Sequence, residues 1–106
     1  MRVRSPTGMP SVADLVDEET VRRLAGPEAH ARGTTLADEG HVRIGEFGPL
    51  LVSASVDDER PHDVELRAAG ATLTYTCTCD EAAGGAFCAH CAATAIVTRR
   101  RSPNRA

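Results

Sequence analysis

The sequence predicts an α+β domain: N-terminal helices, an antiparallel β meander, and a last helix entered through a cluster of cysteines. Three observations predict it. Acid-led helix starts punctuated by Gly and Pro occupy residues 17–40, and apolar residues then recur with period two from His41 to Tyr75. All four cysteines fall within fifteen residues, Cys77 to Cys91, and an Ala-rich stretch begins among them.

Pro6, Gly8 and Pro10 interrupt any periodic pattern over residues 1–10, and a flexible lead-in is expected over 1–16. Asp17-Glu18-Glu19-Thr20 then opens a short helix, because a capping acid and two further acids suit the positive helix end. Val21 and Leu24 are its apolar positions. Gly26-Pro27 stops this helix and starts the next, with Gly as the left-handed stop and Pro at the first helical position. The second helix is expected to reach Glu39, with Gly40 as its stop, although Gly33-Thr34-Thr35 is poor helix sequence.

Val42 and Ile44 flank Arg43 as a first strand. Leu50, Val52, Ala54 and Val56 form one face of a second, which Leu51 interrupts by placing an apolar residue on the polar face. Gly48-Pro49 supplies the turn between them. Asp57-Asp58-Glu59-Arg60-Pro61 supplies the next, its acids read as a solvated turn. Val64, Leu66 and Ala68 alternate in a third strand, Gly70 turns the chain, and Leu73 and Tyr75 alternate with threonines in a fourth. The final helix is expected over Ala89 to Arg101, stopped by Pro103. The chain thus divides into the lead-in 1–16, helices and first strands over 17–61, a cysteine-bearing unit over 62–98, and a basic tail over 99–106.

Composition narrows the function classes. With 106 residues, 42% of them apolar and 25% charged, the chain has room for one soluble globular domain. No apolar run approaches the roughly 20 residues of a membrane span, and the N-terminus lacks the apolar core of a secretion signal. A cytoplasmic location is therefore expected. Aromatic residues number only three, Phe47, Tyr75 and Phe87. The net charge is −3, but residues 1–98 carry −7 and the last eight residues +4. Nucleic-acid binding calls for a basic patch on the folded part. This balance does not favour it.

The cysteines have metal-ligand spacing. Side chains two apart on a strand share a face, so Cys77 and Cys79 present two thiolates side by side. Residues two apart within a helix point about 200° apart, so Cys88 must precede the last helix and His90 lie in its first turn. Gly84-Gly85 lets the loop return. Three sulfurs and one nitrogen make a tetrahedral set of the kind zinc takes in closed structural sites. Cys88-Ala89-His90-Cys91 also reads as Cys-x-x-Cys, which would give four sulfurs with His90 outside. Two disulfides are disfavoured in a chain without a secretion signal, and the spacing matches no common iron–sulfur pattern. His30, His41 and His62 read as ordinary surface or half-buried histidines.

Cys-x-Cys, a short loop, then Cys-x-His at a helix start resembles the SWIM-type zinc finger. The strand Val64-Glu65-Leu66 before the first pair and the Ala-rich helix after His90 resemble its surroundings. Arg32-Gly33 followed by Gly40-His41-Val42 is similar to the Arg-Gly and Gly-x-Val stretches that precede many such fingers. The resemblance spans residues 17–98 and is strongest over 62–98. It implies Cys77, Cys79, Cys88 and His90 as ligands of one structural Zn2+, with Cys91 as a small apolar residue of the helix face. Two departures stand out: Leu36 where an aromatic is frequent, and Cys91 where an aliphatic residue is usual.

A closed four-ligand shell leaves no position for a reacting water, and no nucleophile–base pair or phosphate loop is visible, so no enzyme is expected. The resemblance implies an interaction module that binds proteins or DNA, in bacteria often beside helicase-type ATPases. The acidic body favours a protein partner, with DNA as the alternative. A third reading is a thiol redox sensor that releases zinc, with Cys91 as an exposed extra thiol.

Overall fold

The computed structural model describes residues 10–79 and 85–101. Seven elements follow one another: α1 (Val12–Leu15), α2 (Glu18–Asp38), β1 (Val42–Phe47), β2 (Leu51–Asp58), β3 (Arg60–Ala69), β4 (Thr72–Cys77) and α3 (Ala89–Arg101). The strands form one antiparallel sheet in the order β1-β2-β3-β4, the expected meander in an α+β fold.

Of the expected lead-in, residues 1–9 lie outside the described residues. From Ser11 the chain is ordered by local chemistry. The Ser11 hydroxyl accepts from the Asp14 N–H, and the Asp14 carboxylate accepts from the Ser11 N–H, a reciprocal box that nucleates α1. The Val12 N–H donates to the Pro49 carbonyl at 2.7 Å, and Val12 and Val16 are fully buried. This turn therefore packs into the core, where a flexible segment had been expected.

Asp17 caps α2 as its acidic start predicts, accepting from the backbone N–H and the hydroxyl of Thr20 at 3.2 and 2.7 Å. Gly26 breaks the helix with φ 83° and ψ 167°, a conformation open to glycine, and Pro27 restarts it. The weak stretch Gly33-Thr34-Thr35 stays helical for two reasons. The Thr34 and Thr35 hydroxyls donate to the carbonyls of His30 and Ala31 one turn back. Gly33 also lies against α3 so closely that a Cβ there would sit 2.7 Å from the Ala92 Cβ and 2.9 Å from the Ala93 nitrogen. Tertiary packing selects the glycine that propensity disfavours.

In the sheet, Val52 pairs with Leu66 and Ala54 with Val64, so the apolar faces of β2 and β3 coincide. With Val56 these buried residues form the floor of the core. Leu50, expected to begin that face, precedes β2 and is 51% exposed. α3 packs against both α2 and the sheet, and it is buried on nearly every side from Ala89 to Ile96. An Ala-rich helix without a polar stripe suits that central place. The tail arginines begin inside this helix: Arg99 donates to the Val16 carbonyl at 3.2 Å and Arg100 pairs with Asp38 at 2.9 Å. Residues 102–106, including Pro103, lie outside the described residues.

Candidate metal centre

Strand pairing brings the first two cysteines to the site. Cys77 ends β4 opposite Val64, and the register is carried one residue further by Thr78. Its N–H donates to the Asp63 carbonyl at 3.1 Å, and its hydroxyl accepts from the Asp63 N–H at 3.0 Å. Cys79 follows, buried, in the bend beyond the strand.

The other pair arrives from the helix side. Cys88 immediately precedes α3, and its carbonyl accepts from the Ala92 N–H at 2.9 Å, the first helical bond. His90 therefore stands in the first turn, as the spacing requires. Phe87 meets Tyr75 edge to face, ring centroids 4.7 Å apart, which fastens the incoming loop over β4 and sets Cys88 beside Cys77. Two of the three aromatic residues serve this junction.

One donor atom each from Cys77, Cys79, Cys88 and His90 lies within 4.8 Å of the other three. His90 turns its Nδ1 to the sulfurs, 3.7 Å from Cys77 Sγ and 3.7 Å from Cys88 Sγ. A tetrahedral zinc with its usual bond lengths separates sulfur and nitrogen ligands by about 3.6 Å. The residues present fit a metal ion of this kind. None of the four cysteines is in a disulfide.

The far side of the imidazole is equally organised. His90 Nε2 stands 2.9 Å from Asp58 Oδ2, and Asp58 is also paired with Arg32 of α2. The ring of His62 stacks on that of His90, centroids 4.2 Å apart and 18° from parallel. A carboxylate on the second nitrogen fixes a histidine's tautomer with Nδ1 free to ligate. The hydrogen bond from His90, assisted by the charge of Arg32, holds the Asp58 carboxyl below its ordinary range against the opposing effect of burial. Hydrogen bonds with Cys77 and Cys88 push the His90 imidazole up to about 11. Cys88 is held low by hydrogen bonding from Cys77 and Cys91. Cys91 is pushed up by its bonds toward Cys77 and Cys88 and by burial.

Asp58, His62 and Cys91 differ from what the sequence predicts for them. Asp58 is no solvated turn residue: it holds His90, whereas its neighbour Asp57 does face solvent in a pair with Arg43. His62 is 8% exposed against the site. Cys91 is no exposed thiol; it is fully buried, 3.9 Å from Cys88 Sγ. A signal for the first two was present. Extending the buried series Val52, Ala54, Val56 by two residues reaches Asp58, and extending Leu66, Val64 backwards reaches His62. The tight turn that makes both extensions valid pairs Asp58 with Arg60 across Glu59, which takes φ 74°.

No family model, curated protein or solved structure matches this chain. Among the described residues, no helix is long and apolar enough to cross a membrane.

Proposed function

We propose that this protein is a zinc-binding module of the SWIM type. One structural Zn2+ is held by Cys77, Cys79, Cys88 and His90, and the module works by binding a protein partner without catalysis of its own. The observation that carries this reading is the convergence of three thiols and one imidazole within 4.8 Å, with the imidazole's outer nitrogen held by Asp58. Four protein ligands complete a tetrahedral shell, which suits a structural ion and not a catalytic one. The SWIM assignment is supported by a Cys-x-Cys at a strand end and a Cys-x-His at a helix start. It is also supported by the close approach of Gly33, from the Arg-Gly stretch, to the helix that carries His90.

A protein partner, with a helicase-type ATPase as the first candidate, is supported by charge. Arg32, Arg43 and Arg67, the body arginines best placed for a basic patch, pair with Asp58, Asp57 and Glu65. Their fields are locally cancelled, which leaves little to attract a phosphate backbone.

Metal analysis of the purified protein tests the centre. One equivalent of zinc is expected, and a strong chelator should collapse the amide dispersion of residues 64–98, because ligand binding energy in such sites is folding energy. Cys88→Ser should lose the metal, His90→Ala should weaken it, and Cys91→Ser should retain one equivalent. A native spectrum without metal would refute the structural role. Loss of zinc in Cys91→Ser but not in His90→Ala would establish the four-cysteine site.

A further inference from the structure

Cys91 is a buried thiol that the three-cysteine, one-histidine site leaves unused. It stands three residues after Cys88, which is the residue before α3, so both sulfurs lie on the same first helical turn. Their separation of 3.9 Å is van der Waals contact between sulfurs. A disulfide needs about 2.05 Å, a difference that side-chain rotation supplies when Cα positions are one helical turn apart. Both thiols are buried, Cys91 at 0% and Cys88 at 2% exposure, and Cys88 borders an open hollow between α2 and the loop before α3, beside Ala25, Ala29, Arg32 and Phe87. Of the two, Cys88 is the one that borders this hollow, so a peroxide-sized oxidant entering there reaches Cys88 before Cys91.

We propose that Cys88 and Cys91 are a peroxide-sensitive dithiol whose closure expels the metal. The Cys88 thiolate attacks one oxygen of hydrogen peroxide; the O–O bond breaks, and hydroxide leaves a sulfenic acid on Cys88. Cys91 Sγ then attacks that sulfur. The S–S bond forms, the S–O bond breaks, and the hydroxyl departs as water with the Cys91 proton. Two sulfurs lose two electrons in all, and the peroxide takes them to become water and hydroxide. With the Cys88 sulfur tied up in the disulfide, only Cys77, Cys79 and His90 would be left to hold a zinc ion, a three-ligand set that would bind it less tightly. This inference rests on the zinc centre proposed above, but the disulfide itself does not require the metal.

The experiment treats the purified full chain with hydrogen peroxide, following zinc with a chromogenic chelator and mapping disulfides by mass spectrometry. Asp80 and Glu81 lie between the two cysteine pairs, so cleavage after acidic residues separates a Cys77/Cys79 peptide from a Cys88/Cys91 peptide. The expected product is two unlinked peptides, the second lighter by two hydrogens. Cys91→Ser should release zinc at least about tenfold more slowly, because no thiol remains on the same turn to resolve the sulfenic acid. Cys91→Ala, matching its alanine neighbours, replaces it where Ser at a buried position impairs folding. Peptides linked across the loop as the main product, or equal release from wild type and variant, would overturn the proposal. A chain purified without zinc would defeat the zinc reading alone, and the same mapping on that chain would still decide the dithiol.

Discussion

Replacing Asp58 by Asn separates an organised metal centre from a chance cluster of thiols. Asp58 Oδ2 accepts from His90 Nε2 at 2.9 Å, and the same carboxylate pairs with Arg32 while largely shielded from water. Asn keeps the shape and loses the charge. The His90 N–H then donates to a neutral amide, and Nδ1 becomes a poorer and less firmly oriented ligand. Partners of this kind contribute about 10–100-fold in metal affinity, or about 1.4–2.8 kcal/mol. Zinc affinity measured by competition against a chelator of known strength should fall by that factor at neutral pH. Asp57→Asn provides the control, since the Asp57 carboxylate pairs with the exposed Arg43 and such surface pairs contribute about 0–1 kcal/mol. Arg32→Gln should fall between the two, because it leaves the carboxylate on His90 but removes its second partner. Affinity within twofold of wild type in Asp58→Asn, or an equal loss in Asp57→Asn, would refute the role given to the carboxylate.

Gly33→Ala should destabilise the protein although alanine is the better helix former. The added Cβ meets Ala92 at 2.7 Å and backbone of α3 at 2.9 and 3.0 Å, so about 1–3 kcal/mol of overpacking outweighs about 1 kcal/mol of propensity. Urea denaturation of the zinc-loaded protein checks the sign, and a midpoint at or above wild type would disprove the close approach. Asp17→Ala should lose about 1 kcal/mol of α2 capping at neutral pH. The Thr20 hydrogen bonds lower the Asp17 carboxyl below 3.8, so this contribution is complete above 3.8 and disappears as pH falls through the lowered value. Denaturation of both chains across that range should show the gap closing. DNA binding should be weak and lost at moderate salt, since Arg99 is engaged with the Val16 carbonyl and at most about three tail arginines are left to release counterions. Changing Arg100, Arg101 and Arg105 to Gln should abolish it, and tight binding by that variant at physiological salt would overturn the preference for a protein partner.

Much of this molecule is decided locally, and that part is legible in sequence. The period-two series ending at Val56 and Leu66 place one sheet face in the core because alternate strand residues must point the same way. Gly26-Pro27 marks the break in α2 because few other pairs accept that backbone. The cysteine spacing implies a converging set because Cys-x-Cys suits a strand end and Cys-x-His suits a helix start. Other features exist only once distant segments meet. Ser11 and Val12 become ordered because Pro49 supplies a carbonyl and the core accepts two valines. Gly33 is a weak helix residue until α3 lies against it, and Cys91 is an exposed or a buried thiol only according to what covers α3. Asp58 and His62 are the sharpest case. Strand alternation extended through the turn puts both on the core face, but nothing in pattern or charge ties either to a histidine about thirty residues away. Burial next to the cysteine cluster gives them their roles, because a carboxylate removed from water must find a partner, and the one within reach is the outer nitrogen of His90.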